Sequence, residues 1–304
     1  MERVIGLILH HGRPAALRRC LSALAASERV PERVLVLDNG SGDGAAAIGD
    51  LSGNGLDIEL LTSRRNLGFA GGVNRGLEAI ASRPWTHALL LNDDAMVAHD
   101  CLPRLLDAAA GNHRAGLLGA EIRSARAPRR LESTGLHCSP RTGRVRSLDA
   151  GCRAAARPGP PRTRSALSGC ALLVPRAVIE QVGGPDADFF LYFEDLEWSH
   201  RVRAAGFELL FVPGAKVFHE GGRLSGPDRV YYSTRNQLRL VDLVHPLPGR
   251  AGAARAGIVA ALNLAALVRT ARGRPLAGLR AWRSGLCYGL IGRVGPRPLD
   301  GADG

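Results

Sequence analysis

Three acids stand in FFLYFEDLEWSHR, residues 189–201, directly behind the five bulky apolar residues Phe189 to Phe193. A carboxylate stripped of water is costly, so Glu194, Asp195 and Glu197 each need a partner or a chemical task. An apolar wall raises a carboxylate's basicity and keeps competing water away. The competing reading is an arginine-paired cluster, with Arg201 and Arg203 close by.

Other polar groups stand where apolar runs end. Asp38 closes the run in VLVLDNGSGDG, where it can accept hydrogen bonds from a base or ribose, or simply form an Asp-Asn turn. Asn92-Asp93-Asp94 follows Leu89 to Leu91. In an extended segment Asn92 and Asp94 share a face, and an amide oxygen beside a carboxylate suits a hard divalent cation bridging phosphates. The same acids also serve as helix caps. His219 ends VPGAKVFH ahead of a Glu-Gly-Gly loop, where it either returns to a site or is structural.

These groups need a scaffold that gathers strand ends. Apolar runs at Val4–Leu9, Val34–Leu37, Ile58–Leu61 and Ala88–Leu91 alternate with helical patterns at Pro14–Ala26 and Gly72–Ala81. Such alternation predicts an α/β fold with a mostly parallel sheet flanked by helices. Ligands then sit beyond the carboxyl ends of the strands, where DNGSGDG and NDD fall. Residues 123–165 carry eleven arginines, two acids and the PGPP of 158–161, and read as a loop or irregular insertion.

The 304 residues are 45% hydrophobic and 22% charged, ordinary values for a globular chain, with a formal charge of +12. Lys216 is the only lysine among 40 basic residues, so individual arginines carry little information. Six cysteines without a CxxC pair, and no secretory signal, read as reduced, mostly buried thiols in a cytoplasm. Residues 250–297 hold nine arginines and no acid. The apolar stretch Ala256–Val268 reads as too short for a bilayer span, and Leu279, Trp282, Leu286 and Leu290 fall near one helical face. That composition fits a helical tail lying on an anionic membrane, or a cap on the catalytic domain.

Six motifs occur in order: VLVLDNGSGDG, RNLGFAGGVNRGL, LLLNDDA, GCALLVPR, FFLYFEDLEWSHRVRAAGFELLFVPGAKVFHEGG and YYSTRNQ. Together, over about residues 3–240, they resemble glycosyltransferase family 2, and within it the bacterial rhamnosyltransferase-like branch. The resemblance implies a GT-A fold, with a catalytic domain over 1–225 and a helical, membrane-proximal extension over 226–304. It implies nucleotide contacts at Asp38, Asp93 and Asp94, with Asn66 and Asn74 of the RNLGFAGGVNRGL motif on the donor side. Asp94, Asn92 and His219 would hold Mg²⁺ or Mn²⁺, and Asp195, supported by Glu194, would be the general base. The family's first strand usually ends in a Tyr-Asn type pair, whereas His10-His11-Gly12 precede Arg13-Pro14 here. His11 would then stack on the base in place of tyrosine. The implied activity is inverting transfer from dTDP-rhamnose or a UDP-sugar to a glycan or polyprenyl-linked acceptor, at the inner face of the cell membrane. Acceptors of other kinds, or a catalytically silent sugar-nucleotide-binding module, are the alternatives. Nucleic-acid binding lacks aromatic interleaving or a recognisable module, and a nucleotidyltransferase lacks its glycine-rich phosphate loop.

Overall fold

Val4 and Ile8 pack against one set of helices and Ile5 and Leu7 against another, because successive strand residues point to opposite faces of a sheet. The computed structural model describes residues 2–49, 55–221, 226–270 and 275–298. Its first half runs β1 (Val4–His10), α1 (Pro14–Ala25), β2 (Arg33–Asp38), α2 (Gly44–Ile48), β3 (Ile58–Thr62), α3 (Gly68–Ile80), β4 (His87–Asn92), β5 (Ala95–Val97) and α4 (Cys101–Ala110). The second half adds β6 (Ala115–Ser124), β7 (Leu131–Ser133), β8 (Leu136–Cys138), β9 (Val145–Ser147), β10 (Arg162–Thr163), β11 (Ala171–Pro175), α5 (Arg176–Val182), α6 (Glu194–Ala204) and β12 (Glu208–His219). Helices α7 (Pro227–Val244), α8 (Gly249–Thr270) and α9 (Pro275–Leu290) follow.

The main sheet has the order β10-β12-β6-β11-β4-β1-β2-β3. β3, β2, β1 and β4 are mutually parallel, and β11 enters antiparallel between β4 and β6. The chain moves outward from β1 to β3, then returns on the other side of β1 as β4. That reversal opens a crevice at the carboxyl ends of β1 and β4, where sheets of this class take ligands. Leu17, Leu21, Leu24, Leu102 and Leu105 of α1 and α4 fill one face of the sheet. Val73, Leu77 and Ile80 of α3, Val178 of α5 and Trp198 and Val202 of α6 fill the other.

The arginine-rich stretch departs from expectation, since it is built of short strands. β7 pairs with β6, β8 with β9, and β10 with β12. Strands of two or three residues carry no readable periodicity. Their order comes from tertiary contacts: Arg164 donates to the Thr134 carbonyl at 2.9 Å and lies over the Phe211 ring, and Gln237 of α7 donates to the Gly143 carbonyl. Of the cysteines, all free thiols, Cys20, Cys101 and Cys170 are buried while Cys152 and Cys287 are exposed.

The tail departs too. α8 is longer than the apolar stretch that nucleates it, and Gly249–Val268 is long and apolar enough to cross a membrane by length and composition alone. It nevertheless packs on α7. Arg255 is buried, with its guanidinium on the His245 carbonyl, the Pro140 carbonyl and Asp242. α9 turns small residues, not leucines, toward α7. A Cβ on Gly285 would come within 2.6 Å of the Tyr231 carbonyl, and Ala281 beside it is fully buried. Leu279 and Leu290 therefore point outward. The division of the chain at 225/226 falls at residues 222–225, outside the described residues.

Candidate active site

A cavity of about 830 Å³ opens over the β1–β4 crevice, within the usual range for a substrate site. His11, Asn66, Asn92, Asp93, Asp94, Glu194, Asp195 and His219 all line it; Asp38 and Asn74 do not. Asp38 is consumed by the turn after β2. One carboxylate oxygen accepts from the Ser41 amide (2.9 Å), the Ser41 hydroxyl (2.7 Å) and the Gly42 amide, and the other from the Gly44 amide (2.9 Å). Burial pushes its pKa up, but these donors outweigh that and hold it below the usual carboxylate range. Asn74 instead donates to the Pro185 carbonyl at 2.8 Å, tying α3 to the segment ahead of the acidic stretch.

Asn39, next to Asp38, faces the cavity and accepts from the Leu67 amide at 2.9 Å while donating to Asn66 and the Gly68 carbonyl. The amide of Asn66 in turn lies 3.4 Å from His11. His11 is exposed at the cavity edge, with its other ring nitrogen 3.1 Å from the Asn39 carbonyl. These contacts assemble the ends of β1 and β2 and the start of α3 into one wall. Gly68, at φ 74°, is required where that wall meets the acidic stretch: a Cβ there would lie 2.2 Å from the Phe190 carbonyl.

Asp93 and Asp94 leave β4 level with the end of β1, since Leu9 pairs with Asn92. Both carboxylates are buried and gripped by Arg13, which stands at the N-terminus of α1 and reaches Asp94 at 2.6 Å and Asp93. His10, fully buried, bridges Asp93 and Asp43 at 2.9 Å on either ring nitrogen. Burial opposes its charge, but the two carboxylates outweigh this and raise its pKa. Neither His10 nor Arg13 was assigned a role from sequence, although both sit in the His-His-Gly-Arg-Pro turn.

Antiparallel pairing of β5 with β12 places His219 opposite Ala95 and therefore beside Asp94. Its Nε2 lies 3.2 Å from the Asp94 carboxylate, and its Nδ1 lies 2.8 Å from Glu132. Burial would lower its pKa, but the Cys170 sulfur and Asp94 raise it. Among the described residues no group of three or more His, Cys, Asp or Glu is placed to hold a metal ion. Two protein donors still suffice for a cation completed by phosphate oxygens and water. Asp94 and His219, 3.2 Å apart, would be the protein donors to such an ion, which would neutralise charge on a bound diphosphate.

Opposite stands the acidic stretch, and its three acids divide. Glu197 is the structural one: it accepts from Arg201 one turn on at 3.0 Å. Glu194 and Asp195 have no such ion pair among the described residues. Glu194 is buried, and its Oε2 has no hydrogen-bond partner. Asp195 accepts from the Gly169 amide (3.2 Å) and the Leu196 amide (2.9 Å), leaving a lone pair on each oxygen. Burial raises both pKa values, and the Asp195 charge raises that of Glu194 further. Asp195 is the one whose ionised form has two backbone amide donors, which makes it the better placed of the pair to serve as a base.

The acids are delivered by an unusual backbone. Phe190, Tyr192 and Phe193 have φ of 61°, 71° and 73°, each costing of order 1–3 kcal/mol for a non-glycine residue. Such strain persists where surrounding structure over-determines it. The C-terminal helices supply part of that surround, and Asp228, Tyr232, Arg297 and Pro298 complete the cavity wall on this side.

Residues 8–241 match the family model described as "Glycosyltransferase like family 2". An N-acetylglucosaminyl-diphospho-decaprenol L-rhamnosyltransferase of Mycobacterium tuberculosis is 33% identical over 232 residues, covering 70% of this chain and 74% of its own. A mannosyltransferase from Pyrobaculum calidifontis, solved with GDP-Man and Mn²⁺, superposes with a TM-score of 0.57 at 14% identity over 95% of this chain and 85% of its own. A GalNAc-T7 structure with UDP, GalNAc and Mn²⁺ gives a TM-score of 0.59 at 18% identity over 80% and 48%. The sheet order and flanking helices are those of the GT-A fold that such enzymes share.

Proposed function

We propose, for a chain that belongs to the glycosyltransferase-like family 2 and is a glycosyltransferase, inverting transfer of rhamnose from dTDP-rhamnose to a hydroxyl of a polyprenyl-diphosphate-linked N-acetylhexosamine. The observation carrying this reading is that one cavity brings the adjacent Asp94 and His219 opposite Asp195, a carboxylate of raised pKa without an ion pair among the described residues. The donor and acceptor classes draw support from the mycobacterial relative's name. His11, Asn39 and Asn66 would border the nucleoside, and Asp94 and His219, with Asn92, would hold Mg²⁺ or Mn²⁺. Asp38 and Asn74 act one step removed, by shaping the turn and α3. A bound cation supplies charge neutralisation for the departing diphosphate. Asp195 takes the acceptor proton as its oxygen attacks, and Phe69, Phe190 and Tyr192 keep water from the reacting centre. A panel of sugar nucleotides tests the reading. Metal-dependent release of dTDP from dTDP-rhamnose is expected; no release from any of them would defeat it.

The outward side of the tail supports attachment to the inner face of the cell membrane as part of this proposal. Among the described residues, the exposed large apolar side chains other than Val30 lie between Leu243 and Val294, and the stretch from 250 to 297 holds no acid. Apolar contact plus arginine attraction to anionic lipid is the recipe for surface binding. Because Arg297 and Pro298 also line the cavity, deleting the tail would confound attachment with activity. Leu279→Glu with Leu290→Glu is the cleaner change. Vesicle sedimentation at low salt should show at least about tenfold weaker binding to anionic lipid, with donor affinity unchanged. Equal binding by the double variant would make α9 a structural cap only.

A further inference from the structure

Arg235 of α7 is almost completely buried, yet among the described residues it has no carboxylate partner. A guanidinium removed from water without a counter-charge needs compensation from oriented dipoles. Its Nη2 donates to the Phe189 carbonyl at 2.9 Å and more distantly to the Asp188 carbonyl, and its Nη1 to the Gly295 carbonyl. Its Nε donates to the side-chain oxygen of Asn236 at 2.8 Å. That bond fixes which way the Asn236 amide faces. The Asn236 nitrogen, fully buried, then reaches the carbonyls of Phe189 (2.7 Å), Leu191 (2.7 Å) and Tyr192 (2.9 Å). Every backbone carbonyl in this set but Gly295 belongs to the segment that enters and contains the three left-handed residues. Above it, Tyr232 stacks on Phe190 with ring centroids 5.2 Å apart, and Arg235 lies over the Tyr232 ring.

A helix that merely capped the fold would offer apolar side chains here. α7 offers a cation and an amide aimed at the carbonyls of a strained segment that leads directly into Glu194. We propose that Arg235 and Asn236 are positioning residues for the carboxylate pair, holding residues 189–193, with Phe190, Tyr192 and Phe193 left-handed, in the conformation that sets Asp195 against the acceptor. Neither lines the cavity. Gly295 links the C-terminal segment to the same clamp, so residues of the last helical region become part of the active-site support. The inference rests on the transferase reading of this site and adds the residues that hold its base in place.

Asn236→Ala, Arg235→Lys and Gln237→Ala form the test. Gln237 is a buried amide on the same helix whose bonds run to Gly143 and Asn263, so its loss measures the cost of weakening α7 alone. Transfer would be followed with dTDP-rhamnose and a short-chain polyprenyl-diphospho-N-acetylglucosamine, alongside hydrogen exchange of the amides from Phe190 to Leu196. Misplacement of a reacting group by about 1 Å costs roughly 10²-fold, so Asn236→Ala should lower kcat by about that factor with KM for the donor little changed. Arg235→Lys, keeping the charge but not the fork, should fall between it and wild type. Exchange at residues 190–196 should quicken in Asn236→Ala and not in Gln237→Ala. Equal loss of kcat in Gln237→Ala, or unchanged exchange at 190–196 in Asn236→Ala, overturns the clamp. A wild-type protein inert toward dTDP-rhamnose would count against the proposed donor, and exchange would still decide the clamp.

Discussion

Asp195→Asn is expected to cut sugar transfer by at least about 10²-fold, the lower bound of what a general base contributes, with donor affinity barely changed. Asparagine keeps the shape, but its one oxygen can accept from only one of the Gly169 and Leu196 amides, which donate to different carboxylate oxygens, and it cannot take a proton. The effect should not be mistaken for unfolding. A carboxylate whose folded pKa lies above its unfolded value binds its proton more tightly when folded, so its contribution favours folding at low pH. As pH rises through the unfolded value to the raised one, that contribution is lost, and at higher pH the buried charge is a burden. Burial raises Asp195, so any deficit in melting temperature of the asparagine variant relative to wild type should shrink as pH rises. Wild-type kcat should fall as pH drops through the same raised pKa, because only the ionised form accepts the acceptor's proton. Turnover of the variant within threefold of wild type would make the carboxylate structural.

Asp94→Ala should produce the reverse split. Asp94 is where Arg13 and His219 meet, and it is the carboxylate best placed to hold a cation against a diphosphate. Removing it should weaken donor binding in Mg²⁺ or Mn²⁺ at least as much as the roughly 10- to 100-fold that losing a supporting partner costs a metal site. Arg13 stays anchored on Asp93, so the turn after β1 should hold. Titration calorimetry with dTDP-rhamnose reads the loss directly. EDTA should reproduce it in wild type, with Mg²⁺ or Mn²⁺ restoring activity. Full activity in chelator would remove the cation from this account.

Much of the scaffold could be read from the chain because long apolar runs were bounded by polar turns. β1, β2, β3 and β4 fall within a residue of where the runs place them, and Asp94 and His219 meet although 125 positions apart. What could not be read follows one pattern. Asp38 looked like a ligand because it ends a strand, but side-chain direction decides, and its oxygens turn inward onto backbone amides. α3 starts at Gly68, ahead of Gly72, because Phe190 approaches from a segment more than a hundred residues away. The leucines of α9 face outward because glycine and alanine allow closer approach to α7. Arg235 and Asn236 have no role legible in the sequence, since nothing local to YYSTRNQ says that a strained loop lies above it. Each miss concerns a contact that only tertiary structure creates.

The anomeric configuration of the first transfer product tests the mechanism most directly. With one base on the acceptor side, direct displacement should give a glycoside whose configuration, read by NMR, is opposite to that of the donor sugar. A product that retains the donor's configuration would require a covalent or internal-return route that Asp195 acting as a base does not supply, and would contradict the account.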